Sequence, residues 1–114
     1  MWSSRDLGPA GLNASAERIA ALCEVLSDPR RVRALSLVGR GPATVSEISA
    51  ALGLRPPSAS LHLAKLRRLG LVHALKRGRH RIYSTDPDQT AHLLEVLGRT
   101  SLPPLALESN LEDG

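Results

Sequence analysis

Apolar positions along the chain fall into five stretches of helical period, with one alternating stretch placed before the last of them. Ile19, Leu22, Cys23 and Leu26 recur at i, i+3, i+4 and i+7, which predicts an amphipathic helix over 14–26 capped by Asn13 or Ser15. Asp28-Pro29 reads as the cap and first turn of a second helix running to about Val38. Its inward positions are Val32, Leu35 and Ser36, with Arg30, Arg31 and Arg33 spread over the outside. Gly39 and Gly41-Pro42 end it. Thr44-Val45-Ser46-Glu47 matches a capping box and opens a short third helix, with Val45, Ile48 and Leu52 on one face and Gly53 past its end.

Pro56-Pro57 starts a fourth helix that reaches Leu69 and stops at Gly70. Ala59, Leu63, Leu66 and Leu69 or Gly70 form its apolar face, leaving Ser58, Leu61, Lys65 and Arg68 opposite. Leu71 to Lys76 reads as a strand, Arg77-Gly78-Arg79 as a tight turn and His80 to Thr85 as the returning strand. Asp86-Pro87 repeats the cap-then-proline signal and opens a last helix to about Arg99, in which Leu93, Leu94, Val96 and Leu97 are apolar. The flanks differ: residues 1–12, rich in Gly, Pro and Ser, predict a loose arm, and the Pro-interrupted acidic stretch 101–114 predicts a poorly ordered tail. One folded domain over 13–100 remains, and no internal repeat is seen.

The order is α-α-α-α-β-β-α, a mainly α fold with a β-hairpin (α+β). Helices three and four meet through a four-residue link, Leu54 to Pro57, which is a helix-turn-helix, and the basic hairpin after it is a wing. A chain of 114 residues suffices for one such domain and not for two.

Charge sharpens this picture. The formal net charge is +4, but twelve Lys and Arg lie between Pro29 and Tyr83 against one acid, Glu47, while the flanks hold three arginines and ten acids. A basic centre of this kind suits a polyanion. Aromatics narrow the choice: there is no Phe, one Trp (Trp2) and one Tyr (Tyr83), whereas readers of single strands stack bases on aromatic side chains. Duplex DNA, held by its phosphates and groove edges, needs no such platform.

Other classes fit less well. No nucleophile has a base at useful spacing, no acids pair on one face and no glycine loop cradles phosphate, so no enzyme and no cofactor are expected. No apolar run approaches the length of a membrane span, and the first residues lack the apolar core of a secretory signal. One cysteine cannot form an internal disulfide, and a reducing cytoplasm fits best.

The stretch Leu26-Ser27-Asp28-Pro29-Arg30-Arg31 resembles the opening of the ArsR/SmtB family of winged-helix regulators. The likeness continues through Val45 to Leu54, Pro57 to Val72 and Lys76 to Thr85, covering roughly residues 14–99. It implies a symmetric dimer held by the first and last helices, a recognition helix in the major groove and a wing along the phosphates or the minor groove. The DNA-binding candidates are then Arg55, Ser58, Ser60, Leu61, His62, Lys65, Arg68, Arg77, Arg79 and His80. Leu61 stands where relatives often carry Gln or His, and is left with a thymine methyl or solvent. His62 either donates to a phosphate, the reading its family position favours, or packs. Candidates for the homodimer interface are Ile19, Leu22, Cys23, Leu26, Leu93, Leu94 and Leu97, whose apolar stripes a twofold partner would cover.

No metal site is expected. The third helix has no Cys, and the last offers Asp88, His92 and Glu95 without a second pair of ligands. Cys23 reads as a packing residue or, across a dimer axis, a thiol sensor. His73 has no evident partner. The expected function is a transcriptional repressor bound to a palindromic operator and released by an effector that the residues do not name. The rival is a winged-helix module that binds protein and does not read DNA.

Overall fold

Helix α1 (Pro9–Val25) leads into α2 (Pro29–Arg40), the short strand β1 (Ala43–Thr44), α3 (Val45–Leu52) and α4 (Pro56–Arg68). The hairpin β2 (His73–Arg77) and β3 (His80–Ser84) follows, and α5 (Pro87–Arg99) closes the order. The structure, a computed structural model, describes residues 9–99, with side chains from Asn13 onward. The tail expected over 101–114 and most of the arm expected over 1–12 lie outside these residues. The winged helix-turn-helix expected from the pattern is present, with β1 added.

That addition comes from the capping box. Thr44 Oγ1 accepts from the Glu47 backbone N–H at 3.1 Å, and Glu47 Oε1 accepts from the Thr44 N–H at 2.9 Å. The same Thr44 backbone is extended (φ −80°, ψ 162°) and pairs with Ile82, as Ala43 pairs with Tyr83, so the cap also adds a third strand to the wing. The sheet order is β1-β3-β2, antiparallel throughout. The Thr44 bonds hold the Glu47 carboxyl below its ordinary pKa, the backbone N–H contributing most. Thr44→Ala is expected to cost about 1 kcal/mol of stability, read from urea midpoints at constant slope.

The first helix starts at Pro9 and not near Ala14, because proline fits a first helical turn, so Asn13 and Ser15 lie inside α1 and cap nothing. On α2 the buried positions are Arg31, Ala34, Leu35 and Val38, the i, i+3, i+4, i+7 stripe. The expected inward set was one residue out of phase: Leu35 is buried, but Val32 and Ser36 are half-buried and Arg31 has left the outside. That stripe wins because it gathers three apolar residues into contact with α3, α4 and α5.

Leu35, Val38, Ile48, Leu63, Leu66 and Val72 are all under 2% exposed, and Tyr83 joins them from the sheet. This core lies beneath the helix-turn-helix, so the recognition helix rests on it through Ala59, His62, Leu63 and Leu66. Leu69 falls outside the expected apolar face. It follows the last helical residue and is exposed. Between α3 and α4, the Gly53 N–H donates to Ala50 O and the Leu54 N–H to Ser49 O. This closure needs a left-handed residue, and Gly53 sits at φ 65°.

Candidate nucleic-acid interface

α4 begins without a side-chain cap: Arg55 is its N-cap and makes no such bond, and the prolines at its first two positions, Pro56 and Pro57, have no N–H to be capped, while the Arg55 side chain beside them is exposed. A helix turns about 100° per residue. With Ala59, His62, Leu63 and Leu66 inward, Leu61 and Arg68 lie on the outward face, and Leu61 is 67% exposed. Ser58 and Lys65 fall on the edge toward α1 and α2. Lys65 and Arg68 line a shallow cleft there with Glu24, Val25 and Arg31. Ser60 falls on the opposite edge, with the exposed Arg67 seven residues on.

The wing closes on that second edge. Gly78 and Arg79 form its two-residue turn, since Arg77 pairs with His80. Gly78 has φ 58°, and no non-glycine among the described residues has positive φ, which gives the II′ pattern with glycine first. From Lys76 to Arg81 every residue is exposed. A cleft of about 290 Å³ gathers Ser60 of α4, Thr44, Val45 and Ser46 at the start of α3, and Arg79, His80 and Arg81 of the wing. Two elements that carried separate candidates thus share one polar seat. Ser46, Arg67 and Arg81 were missed by sequence reasoning. The capping box marked a helix start beside Ser46, but only the β1–β3 pairing turns that start toward the wing.

His62 does not belong to this surface. It is 8% exposed, with Nδ1 3.4 Å from an Arg31 guanidinium nitrogen. Arginine has only donors, so Nδ1 accepts and the proton resides on Nε2. The expectation of a phosphate contact at His62 is corrected accordingly: its place at i+3 from Ala59 puts it in the buried stripe. Burial pushes its pKa below the ordinary histidine value, with Arg30, Arg31 and Lys65 adding to this and Asp28 opposing it.

Arg31 is 8% exposed. Its Nε donates to Val25 O, and a terminal nitrogen lies 3.5 Å from Glu24 O. Those carbonyls end α1, where a cation is favoured and acceptors are left over. The counter-charge is Asp28, whose Oδ2 lies 3.8 Å from Arg31 and 2.9 Å from Arg30. Hydrogen bonds from the Arg30 side chain and backbone hold the Asp28 carboxyl well below the usual carboxylate range.

The expected dimer residues divide. Ile19, Cys23 and Leu97 are exposed within one chain, whereas Leu22, Leu26, Leu93 and Leu94 are half-buried, the last three against the core. On α5, Glu95 pairs with Arg99 at 2.9 Å, and no three His, Cys, Asp or Glu side chains among the described residues are grouped to hold a metal ion. No helix among these residues is long and apolar enough to cross a membrane.

A profile of the family described as "Bacterial regulatory protein, arsR family" matches residues 28–74. The chain is 30% identical over 95 residues to the HTH-type transcriptional regulator YgaV of Escherichia coli (strain K12), spanning 82% of this chain and 96% of that one. Among solved structures, NolR from Sinorhizobium fredii superposes with a TM-score of 0.72 at 25% identity, covering 89% of this chain and 97% of that one. The homodimeric winged helix-turn-helix DNA-binding domain (fragment 1-100) of a possible ArsR-family regulator from Mycobacterium bovis gives 0.68 at 26% identity, covering 86% and 85%. The chain belongs to the arsR family of bacterial regulatory proteins: it is a winged helix-turn-helix DNA-binding transcriptional regulator, not an enzyme.

Proposed function

We propose that this regulator is a homodimeric repressor that places α4 in the major groove of a palindromic operator and lays the wing along the flanking backbone. Half-sites would be about one helical turn apart, roughly 10 to 10.5 base pairs. The observation that carries the reading is the polar seat where Ser60 meets Arg79, His80 and Arg81. It joins recognition helix and wing into one surface for a sugar-phosphate chain. Arg55, Arg68 and Arg77 extend that surface, Lys65 borders it, and Ser58 and Leu61 stand nearest the bases, Leu61 against a thymine methyl.

The dimer would use the exposed Ile19, Cys23 and Leu97 of α1 and α5, with Leu22, Leu26, Leu93 and Leu94 behind them. The M. bovis neighbour is a homodimer, which supports a dimer of this chain. Binding to a duplex selected from a random pool, followed by fluorescence anisotropy, tests the whole reading. With roughly six to ten phosphates neutralised per dimer, affinity should fall by about 10³-fold or more between about 50 and 200 mM salt. A flat salt response would reject it, as would a mass in solution equal to that of one chain.

A further inference from the structure

Tyr83 is 3% exposed and its ring packs in the core, but its hydroxyl is not satisfied there. The hydroxyl makes no hydrogen bond among the described residues. Yet no buried side-chain nitrogen or oxygen among them is left without a partner. The hydroxyl is therefore not sealed in, and the small exposed part of the residue includes it. The surface it reaches is the cleft of about 290 Å³ between α3, α4 and the wing, which Tyr83 lines from beneath.

Three elements bring further donors to the same space. Alternation along β3 puts Arg81 on the Tyr83 face. On another side α3 begins, where the Val45 and Ser46 N–H groups precede the first helical bond and Thr44 Oγ1 takes only the Glu47 N–H. The Ser46 and Ser60 hydroxyls border it too, neither hydrogen-bonded among the described residues. No acid lines the cleft, and the Glu47 carboxylate nearby is tied back to the Thr44 N–H. Donors in want of an acceptor thus surround a space below the roughly 300–1,000 Å³ of organic-ligand sites. The acceptor that suits them is a small tetrahedral anion.

We propose that this cleft seats one phosphodiester group of the bound duplex, and that the Tyr83 hydroxyl, fixed by the core around its ring, donates to one of the two non-bridging oxygens. This rests on the DNA-binding reading above and gives it a binding residue that burial conceals. Arg79 and Arg81 supply charge, while the Tyr83, Ser46 and Ser60 hydroxyls and the start of α3 supply direction. Because the Tyr83 hydroxyl is neutral, it strengthens binding without releasing counterions.

The test uses the full chain, in its solution oligomeric state, and a duplex selected from a random pool. Copies of that duplex carry, at one phosphate at a time, a neutral methylphosphonate, in which a methyl group replaces one non-bridging oxygen. Tyr83→Phe should lower affinity for the unmodified duplex at least about tenfold, since a twofold dimer loses two hydrogen bonds to charged oxygens. The slope of log affinity against log salt and the melting temperature should both stay unchanged, the hydroxyl being neutral and without a partner in the fold. At one phosphate per half-site the methylphosphonate penalty should shrink at least about fivefold in the variant, and at every other it should match that of the unaltered chain. Ser46→Ala should couple to the same phosphate, which decides the matter if Tyr83→Phe lowers the melting temperature. Unchanged affinity, a loss coupled to no single phosphate, or a reduced salt slope, which would assign the loss to a displaced arginine, overturns the proposal. Inorganic phosphate should shift the Val45 and Ser46 amides of the free protein only above about 1 mM, because a duplex makes many such contacts at once. Tighter binding would make the free anion the occupant and overturn the assignment to the DNA backbone. An unaltered chain that binds no duplex overturns the DNA-binding reading and this proposal together, whereas duplex binding indifferent to Tyr83 overturns this proposal alone.

Discussion

Arg68→Glu combined with Arg79→Glu lowers duplex affinity at least about a hundredfold near 0.1 M salt, or about 2.8 kcal/mol. The two side chains are exposed and pair with no acid among the described residues, one on the outward face of α4 and one at the tip of the wing. A twofold dimer carries each twice, so four cations leave the phosphate surface and four anions enter it. Stability should stay within about 0.5 kcal/mol, because neither side chain packs in the core. The slope of log affinity against log salt should fall by about 0.9 for each phosphate that the protein no longer neutralises. Leu61→Gln separates the second role of α4. It adds a donor and an acceptor where the side chain now offers only methyl groups, and should change which duplexes are selected more than how tightly the best one binds. Unchanged affinity in the double reversal would favour the rival, a winged-helix fold that meets protein.

Much of the fold beneath this surface was legible from residues alone because its signals are local. The capping box at Thr44, the proline starts of α2, α4 and α5, and the glycines after α3 and α4 each fix an element end with residues only a few positions apart. What escaped depends on distant partners. β1 is two residues long and has no period to detect; it exists because Tyr83 and Ile82 lie opposite it. Arg31 was placed outside on account of its charge, yet its acceptors are two carbonyls of another helix and a histidine thirty-one residues on. His62 was assigned to a phosphate on its family position and the basic helix around it, whereas the guanidinium across from it makes its burial tolerable. Within one chain the half-buried Leu93 and Leu94 already serve the core, so their stripe on α5 was never a pure interface signal.

Arg31→Met is expected to destabilise the fold by about 3 kcal/mol, the range for removing one member of a buried, charged hydrogen-bonded set. Methionine fills a similar volume, but it leaves Val25 O without the guanidinium donor and His62 Nδ1 without its partner, while Glu24 O keeps only the Ser27 N–H and hydroxyl. Arg31→Lys should recover less than half of this, because one ammonium cannot span two carbonyls and a ring nitrogen as a planar fork does. The pH dependence identifies the same cluster. Folding holds His62 neutral and lowers its pKa, so between the folded value and about 6.5 the unfolded chain binds more protons than the native one. Its contribution is therefore complete above about pH 6.5 and declines as pH falls through that window, by at most about 1.4 kcal/mol per pH unit. The charged groups facing the ring are Asp28, Arg30, Arg31 and Lys65, and protonation would set a fourth cation among three. Asp28 acts in a separate window: its lowered pKa gives stability that is present above about 3.9 and lost below it. His62→Gln keeps a neutral acceptor and should flatten the slope between about pH 5 and 6.5 while leaving the acid limb in place. An unaltered slope in that variant would take His62 out of the pH response.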